Sequence, residues 1–231
     1  MIEENLKEIR SEMEAACKKS GRSLSDVRLI AVSKTKPAEM VLEAYRAGVR
    51  DFGENKVQEI LEKAPALPQD IRWHMIGHLQ KNKVRQVVGK VVLIHSVDSV
   101  PLAEQIEKEA AKQGCEADIL LEVNVAEEET KFGFRTGEVE EAARQIAKLP
   151  HVHIQGLMTI APFVENSEEN RGVFQKLFDL SVDMKRKNID NVNMNVLSMG
   201  MSGDFMTAIE EGATMIRVGT SIFGARTKMG E

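Results

Sequence analysis

Arg28-Leu-Ile-Ala-Val-Ser-Lys-Thr-Lys-Pro37 sets the pattern of the whole chain. Its apolar run reads as a buried β-strand, and Pro37 suits the first turn of a helix that follows. A buried strand leading straight into a helix is one unit of a parallel β/α fold. The same unit recurs, with apolar runs at 28–33, 50–53, 72–76, 91–95, 118–123, 154–159, 194–198 and 214–218. Helical spacing of apolar residues occupies 37–47, 80–88, 100–113, 138–148, 168–187 and 204–211, and Gly48, Gly114 and Gly212 fall where helix C-termini belong. A further helix over 3–20 precedes the first strand. Eight such units without a Pro/Ser-rich linker predict a (β/α)8 barrel of the α/β class, one domain over residues 1–231 with an additional N-terminal helix. A doubly wound open sheet is the competing arrangement, and the even spacing favours closure.

Composition narrows the partners. The chain has 42% apolar and 29% charged residues, as an ordinary globular protein does. Aromatic residues make up only 4%, with a single Trp73 and a single Tyr45, which argues against stacking on nucleic acid. A net charge of −5 argues against a phosphate-backbone partner. Cys17 and Cys115 fit no zinc or redox spacing, so no metal is expected; both are placed in amphipathic helices and read as reduced thiols. The start of the chain is charged from its third residue, and no apolar run approaches ~18 residues. The expectation is a cytoplasmic protein with no signal peptide and no membrane span.

Lys34 stands at the carboxyl end of the first strand. Apolar walls there disfavour the ammonium form, and a neutral amine can attack an aldehyde to form a Schiff base. The plain alternative is a snorkelling lysine at a strand end. Two other stretches weigh against it: Val196-Leu-Ser-Met-Gly-Met-Ser-Gly-Asp204 and Met215-Ile-Arg-Val-Gly-Thr-Ser-Ile-Phe-Gly224. Each is an apolar strand running into Gly, Ser or Thr and then a helical pattern, a setting for phosphate. Barrel active sites lie at the carboxyl ends of the strands, with phosphate commonly held after strands seven and eight. Lys34 would then face both stretches across the barrel closure, which outlines pyridoxal phosphate. Arg217 is a charge inside an apolar strand. It reads either as a structural ion pair or as a donor to a pyridine nitrogen, which would stay unprotonated because arginine keeps its proton.

At these residues the chain resembles the pyridoxal phosphate homeostasis protein family, single-domain relatives of the alanine racemase barrel. The matching segments are Ala31–Pro37, Phe52-Gly-Glu-Asn55, Trp73–Gln80 with Asn82 and Lys83, Gly156-Leu-Met158, Leu197–Ser202 with Asp204, and Arg217–Gly224. The resemblance implies an internal aldimine on Lys34, phosphate held by Ser202, Gly219 and Thr220, and Arg217 at the pyridine nitrogen. It places Asn55 near the cofactor and adds Ser198, Gly200 and Met201 to the binding set, and it gives His78 no essential role. It also implies a part in intracellular pyridoxal phosphate homeostasis and, indirectly, in amino-acid and keto-acid balance, with no catalytic residues.

Two other functions remain open at this point. An amino-acid racemase needs a second base opposite Lys34. In the related racemases a carboxyl-terminal domain supplies it as a tyrosine, and here the chain stops soon after the eighth strand. Tyr45 reads as a packing residue; His74, His78, His95, His151 and His153 are the possible substitutes. A Schiff-base aldolase acting on a sugar phosphate is the other. The expected assembly is a monomer that hands its cofactor to apo-enzymes. Met158, Met199 and Met201 are expected to form a soft wall, and 127–134 a solvated loop, with a lid over the cofactor as the alternative.

Overall fold

In a computed structural model, residues 1–225 are described. Residues 226–231, which the expected single domain also takes in, lie outside the described residues. The strands are β1 Arg28–Val32, β2 Asp51–Glu54, β3 Arg72–Met75, β4 Leu93–Val97, β5 Ala117–Glu122, β6 Val152–Met158, β7 Val192–Met201 and β8 Met215–Val218. All pair in parallel in chain order, and β8 returns to β1 with Ile30 opposite Arg217, so the sheet closes into an eight-stranded barrel. Strands buried on both faces read as continuous apolar runs, which is why the sequence locates them.

The helices are α1 Ile2–Lys19, α2 Ala38–Arg46, α3 Val57–Lys63, α4 Val84–Val87, α5 Val100–Gln113, α6 Val139–Ile146, α7 Arg171–Arg186, α8 Phe205–Glu210 and α9 Thr220–Phe223. The main core lies between sheet and helices, and a second cluster of Ile30, Leu93, Leu120, Met158 and Met215 lies within the barrel. The helix after β8 has only four residues, too short to cover the β8–β1 seam. The N-terminal helix does so instead. Ile2, Leu6, Ile9, Met13 and Ala16 form its buried stripe, and α1 packs on α2, α8 and α9. Asn5 Nδ2 donates to the Ile222 carbonyl at 2.9 Å, tying α1 to α9.

The structure departs from the sequence reading in three places. Helix α3 was not anticipated. Strand β7 runs on to Met201, its pairing with β8 shifting register between Ser198 and Met201. Cys17 is buried in α1 as expected, but Cys115 lies beyond α5, because Gly114 at φ 64 ends that helix in the left-handed conformation.

Candidate functional site

A cleft of about 420 Å³ opens at the carboxyl ends of the strands. Its walls include Val32 at the end of β1, Asn55 after β2, Glu122 ending β5, Met201 ending β7, and Arg217 and Gly219 on and after β8. Lys34, Ser202 and Thr220 line it as well. Seven of the nine residues proposed from sequence are therefore brought to one cavity: Lys34, Asn55, Met201, Ser202, Arg217, Gly219 and Thr220.

Lys34 is half-buried in a turn closed by the Lys36 N–H donating to the Ser33 carbonyl at 3.0 Å. Thr35 in that turn has φ 62. A β-branched residue resists this region, at a cost of about 1–3 kcal/mol that the surroundings must offset. Lys36 also touches the cleft, but its Nζ donates to the carbonyls of Phe223, Gly224 and Ala225 at 3.1, 3.0 and 3.0 Å, capping α9. Lys83, in the turn before α4, is not on the cleft wall. Asn55 reaches its place because Gly77 passes beside it: a Cβ on Gly77 would come within 2.4 Å of the Asn55 carbonyl oxygen.

The opposite wall gathers hydrogen-bond donors. Ser202 Oγ accepts from the N–H of Gly219 at 3.2 Å and of Ser221 at 3.5 Å, which joins the β7 loop to the start of α9. Gly219 lies against β1, where a Cβ would meet Val32 at 3.2 Å. Asp204 fixes the β7 loop by accepting from the Met201 N–H at 2.6 Å and from Asn170 at 2.9 Å. Two hydroxyls and a run of backbone N–H groups on one wall suit a phosphate.

Arg217 lines the cleft with its side chain almost wholly buried, its Nη1 donating to Ser198 Oγ at 2.6 Å and its Nη2 to the Thr159 carbonyl at 2.8 Å. Burial brings its pKa down to about 10, with Glu122 and Asp204 opposing. A guanidinium has five N–H donors, so donors remain for the cleft.

Ser198 opens a relay through the barrel interior. Its Oγ lies 2.8 Å from His95 Nδ1, His95 Nε2 lies 3.0 Å from His74 Nδ1, and His74 Nε2 lies 3.0 Å from Asp51 Oδ1. Burial raises the cost of ionising Asp51, but hydrogen bonds from Arg72 and His74 outweigh it and hold the carboxyl at about 2. Burial lowers the pKa of both histidines, that of His95 well below the ordinary value. With Asp51 ionised and both imidazoles neutral, every proton has one place. His74 Nε2–H donates to Asp51, His95 Nε2–H to His74 Nδ1, Ser198 O–H to His95 Nδ1, and Arg217 to Ser198. The guanidinium is thereby fixed in orientation from a carboxylate at the start of β2.

The structure also brings in Glu122, which the sequence reading passed over, and shows what His78 and the 127–134 segment do at the cleft. Glu122 is buried beside the cleft, and burial, with the negative Asp98 nearby, raises its pKa to about 7 despite Arg217. His78 stacks on Phe132 at 3.9 Å between ring centroids and reaches Asp98 through Nδ1 at 3.2 Å. Phe132 is the residue of the 127–134 segment that lines the cleft.

Other expected residues lie elsewhere. Ser198 and Gly200 are behind the cleft surface, Ser198 in the relay and Gly200 against Phe205 and Ala208 of α8. Met158 and Met199 are core residues, leaving Met201 as the methionine on the wall. Tyr45 donates to Asp70 at 2.7 Å and stacks on Arg50, off the cleft. His151 and His153 pair with Glu107 and Glu116 at the amino-terminal end of β6.

Residues 3–227 match the family described as Alanine racemase, N-terminal domain. A pyridoxal phosphate homeostasis protein of Aquifex aeolicus is 46% identical over 224 residues, covering 96% of this chain and 97% of the relative. One of Haemophilus influenzae is 38% identical over 228 residues, covering 97% and 96%. The structure of PipY of Synechococcus elongatus with PLP bound superposes with a TM-score of 0.84 at 37% identity, covering 97% of this chain and 100% of PipY. With these likenesses running the length of the barrel, the chain belongs to the pyridoxal phosphate homeostasis protein family, within the alanine racemase N-terminal domain fold.

Proposed function

We propose that this chain binds pyridoxal 5′-phosphate covalently through Lys34 and acts in its intracellular homeostasis, as a carrier or buffer rather than as an enzyme. The observation that carries the reading is the meeting, in one cleft, of Lys34, the Ser202, Gly219 and Thr220 donor wall, and the buried Arg217. Pyridoxal phosphate supplies an aldehyde that an amine can capture reversibly. Lys34 would take the aldehyde, the donor wall would take the phosphate, and Arg217 would donate toward the ring nitrogen, whose proton it does not supply. Asn55 and Met201 close the sides of the cleft. The residues present therefore fit the group.

An arginine at the ring nitrogen keeps the ring a poor store for carbanion charge, which favours holding over turnover. Racemisation also requires a base opposite Lys34. Tyr45 is off the cleft, and His78 is engaged by Asp98 and Phe132. The proposal extends to a single-domain, monomeric, cytoplasmic protein that gives its cofactor to apo-enzymes and binds no nucleic acid. Its test is to incubate the loaded protein with an apo-enzyme that requires pyridoxal phosphate, and separately with D- and L-amino acids. Activation of the apo-enzyme without racemisation is expected. Racemisation with kcat near ~10 s⁻¹ would establish the enzyme reading instead.

A further inference from the structure

The turn that carries Lys34 is gripped from behind by charged residues that the barrel does not need for its own closure. Strands β1 and β2 already pair through Ala31 with Phe52 and Val32 with Gly53, and the Ser33 N–H donates to the Gly53 carbonyl at 3.1 Å. Beneath that seam sit Glu54 of β2 and Glu59 and Lys63 of α3, with Glu54 fully buried and Lys63 only 8% exposed. Glu54 Oε1 accepts from Ser33 Oγ at 2.6 Å and from Lys63 Nζ at 2.8 Å. Lys63 Nζ also donates to the Ser33 carbonyl at 2.9 Å and to Glu59 Oε2 at 2.8 Å. Glu59 Oε2 in turn accepts from the Thr35 N–H at 2.7 Å. Among the described residues, every side-chain bond that leaves this group ends on Ser33 or Thr35, the two neighbours of Lys34.

A buried ion cluster is a weak source of stability, because desolvation offsets the attraction and apolar residues of similar size commonly do as well. Among the described residues Glu54 Oε2 is buried with no hydrogen-bond partner, a cost with no return in binding energy. The return is geometric. Thr35 is held at φ 62, and a threonine released from that conformation relaxes to negative φ. Such a relaxation would swing the neighbouring Lys34. None of the three clamp residues is on the cleft wall, so their effect on cofactor capture passes through the turn they hold, whose Lys34, Thr35 and Lys36 line the cleft.

We propose that Glu59 and Lys63, seated on Glu54, are positioning residues that lock the Ser33–Lys36 turn in its left-handed form and so aim the Lys34 amine at the cofactor aldehyde. The inference rests on the reading of Lys34 given above. The step they serve is a condensation: the neutral Lys34 Nζ attacks the aldehyde carbon, a C=N bond replaces the C=O bond, and the two protons of the amine leave with the aldehyde oxygen as one water.

The test follows absorbance after pyridoxal phosphate is mixed with cofactor-free protein, with borohydride trapping and peptide mass spectrometry to locate the bond. Glu59→Ala slows attachment at Lys34 about 10- to 100-fold, the scale of a reacting group displaced by an ångström. Binding of inorganic phosphate, read by calorimetry, stays at the wild-type value. Adding Thr35→Gly to Glu59→Ala restores most of the rate, because glycine takes positive φ without strain. Glu59→Gln keeps an acceptor for the Thr35 N–H and loses less than Glu59→Ala, which keeps the comparison readable if the alanine variant folds poorly. A wild-type rate in Glu59→Ala, or a slow rate that Thr35→Gly leaves unrepaired, overturns the clamp. No attachment in the wild-type protein overturns the reading of Lys34 and the clamp with it.

Discussion

The relay behind Arg217 and the cluster behind Lys34 are both buried and both end on a residue of the cleft, but only one of them is complete. In the relay each donor has one acceptor, from Arg217 through Ser198, His95 and His74 to Asp51. In the cluster Glu54 Oε2 has no partner among the described residues, and burial raises the Glu54 pKa to about 7 against the pull of Lys63 and Ser33. A satisfied network adds stability and fixes a single arrangement, whereas an unsatisfied one gives up stability to hold a strained turn. The relay should therefore matter most to folding, and the cluster most to what Lys34 does.

The largest expected effect is on the relay. His95→Ala leaves the Ser198 O–H without its acceptor and His74 Nδ1 without its donor and opens a cavity, at a cost of about 3 kcal/mol in denaturant unfolding. Glu59→Ala, on a partly exposed side chain, should cost less than half of that. If the two losses were equal, or reversed, the contrast between the networks would fail.

The pH dependence of stability sharpens the same contrast. Glu54 and Glu122 are both raised to about 7 from an ordinary value of 4.5. Between those values the folded protein holds protons that the unfolded chain has released, so stability falls as pH rises from about 4.5 to 7. Each group contributes on the order of a few kcal/mol. Asp51, held at about 2, acts with the opposite sign: its contribution is present above the ordinary carboxylate range and is lost as pH falls through about 2. Thermal unfolding of cofactor-free Glu54→Gln and Glu122→Gln across this window should give flatter profiles than the wild type. Unchanged profiles would mean that neither group keeps its proton in the fold.

The smallest effect concerns the phosphate wall. Ser202→Ala should weaken pyridoxal phosphate binding by about 1–3 kcal/mol, the range for a lost hydrogen bond to a charged group, and should leave pyridoxal binding little changed. Equal losses for the two ligands would place the phosphate elsewhere.

What the sequence disclosed, and what it did not, follows from range. Strands such as Leu29–Val32 are buried on both faces, so their apolar runs stand out locally. Lys34, Ser202 and Arg217 were legible because each interrupts or ends such a run. Glu122, in Leu120-Leu-Glu-Val123, carries the same mark as Arg217, a charge inside an apolar strand, and could have been found by it. Helix α3 was missed because it has seven residues and runs into Pro65 and Pro68. The Ser33, Glu54, Glu59 and Lys63 contacts span up to 30 residues, and the His95 to Ser198 bond spans 103. No local pattern marks those partners, since only closure of the barrel brings them together.

The most direct test of the account locates the covalent bond. Protein loaded with pyridoxal phosphate is reduced with borohydride, digested and mapped by mass spectrometry, alongside Lys34→Ala treated in the same way. The account predicts an aldimine absorbance in the wild type, a reduced adduct on the peptide that contains Lys34, and neither in the variant. An adduct at Lys36 or Lys83, or an absorbance that survives Lys34→Ala, would contradict it.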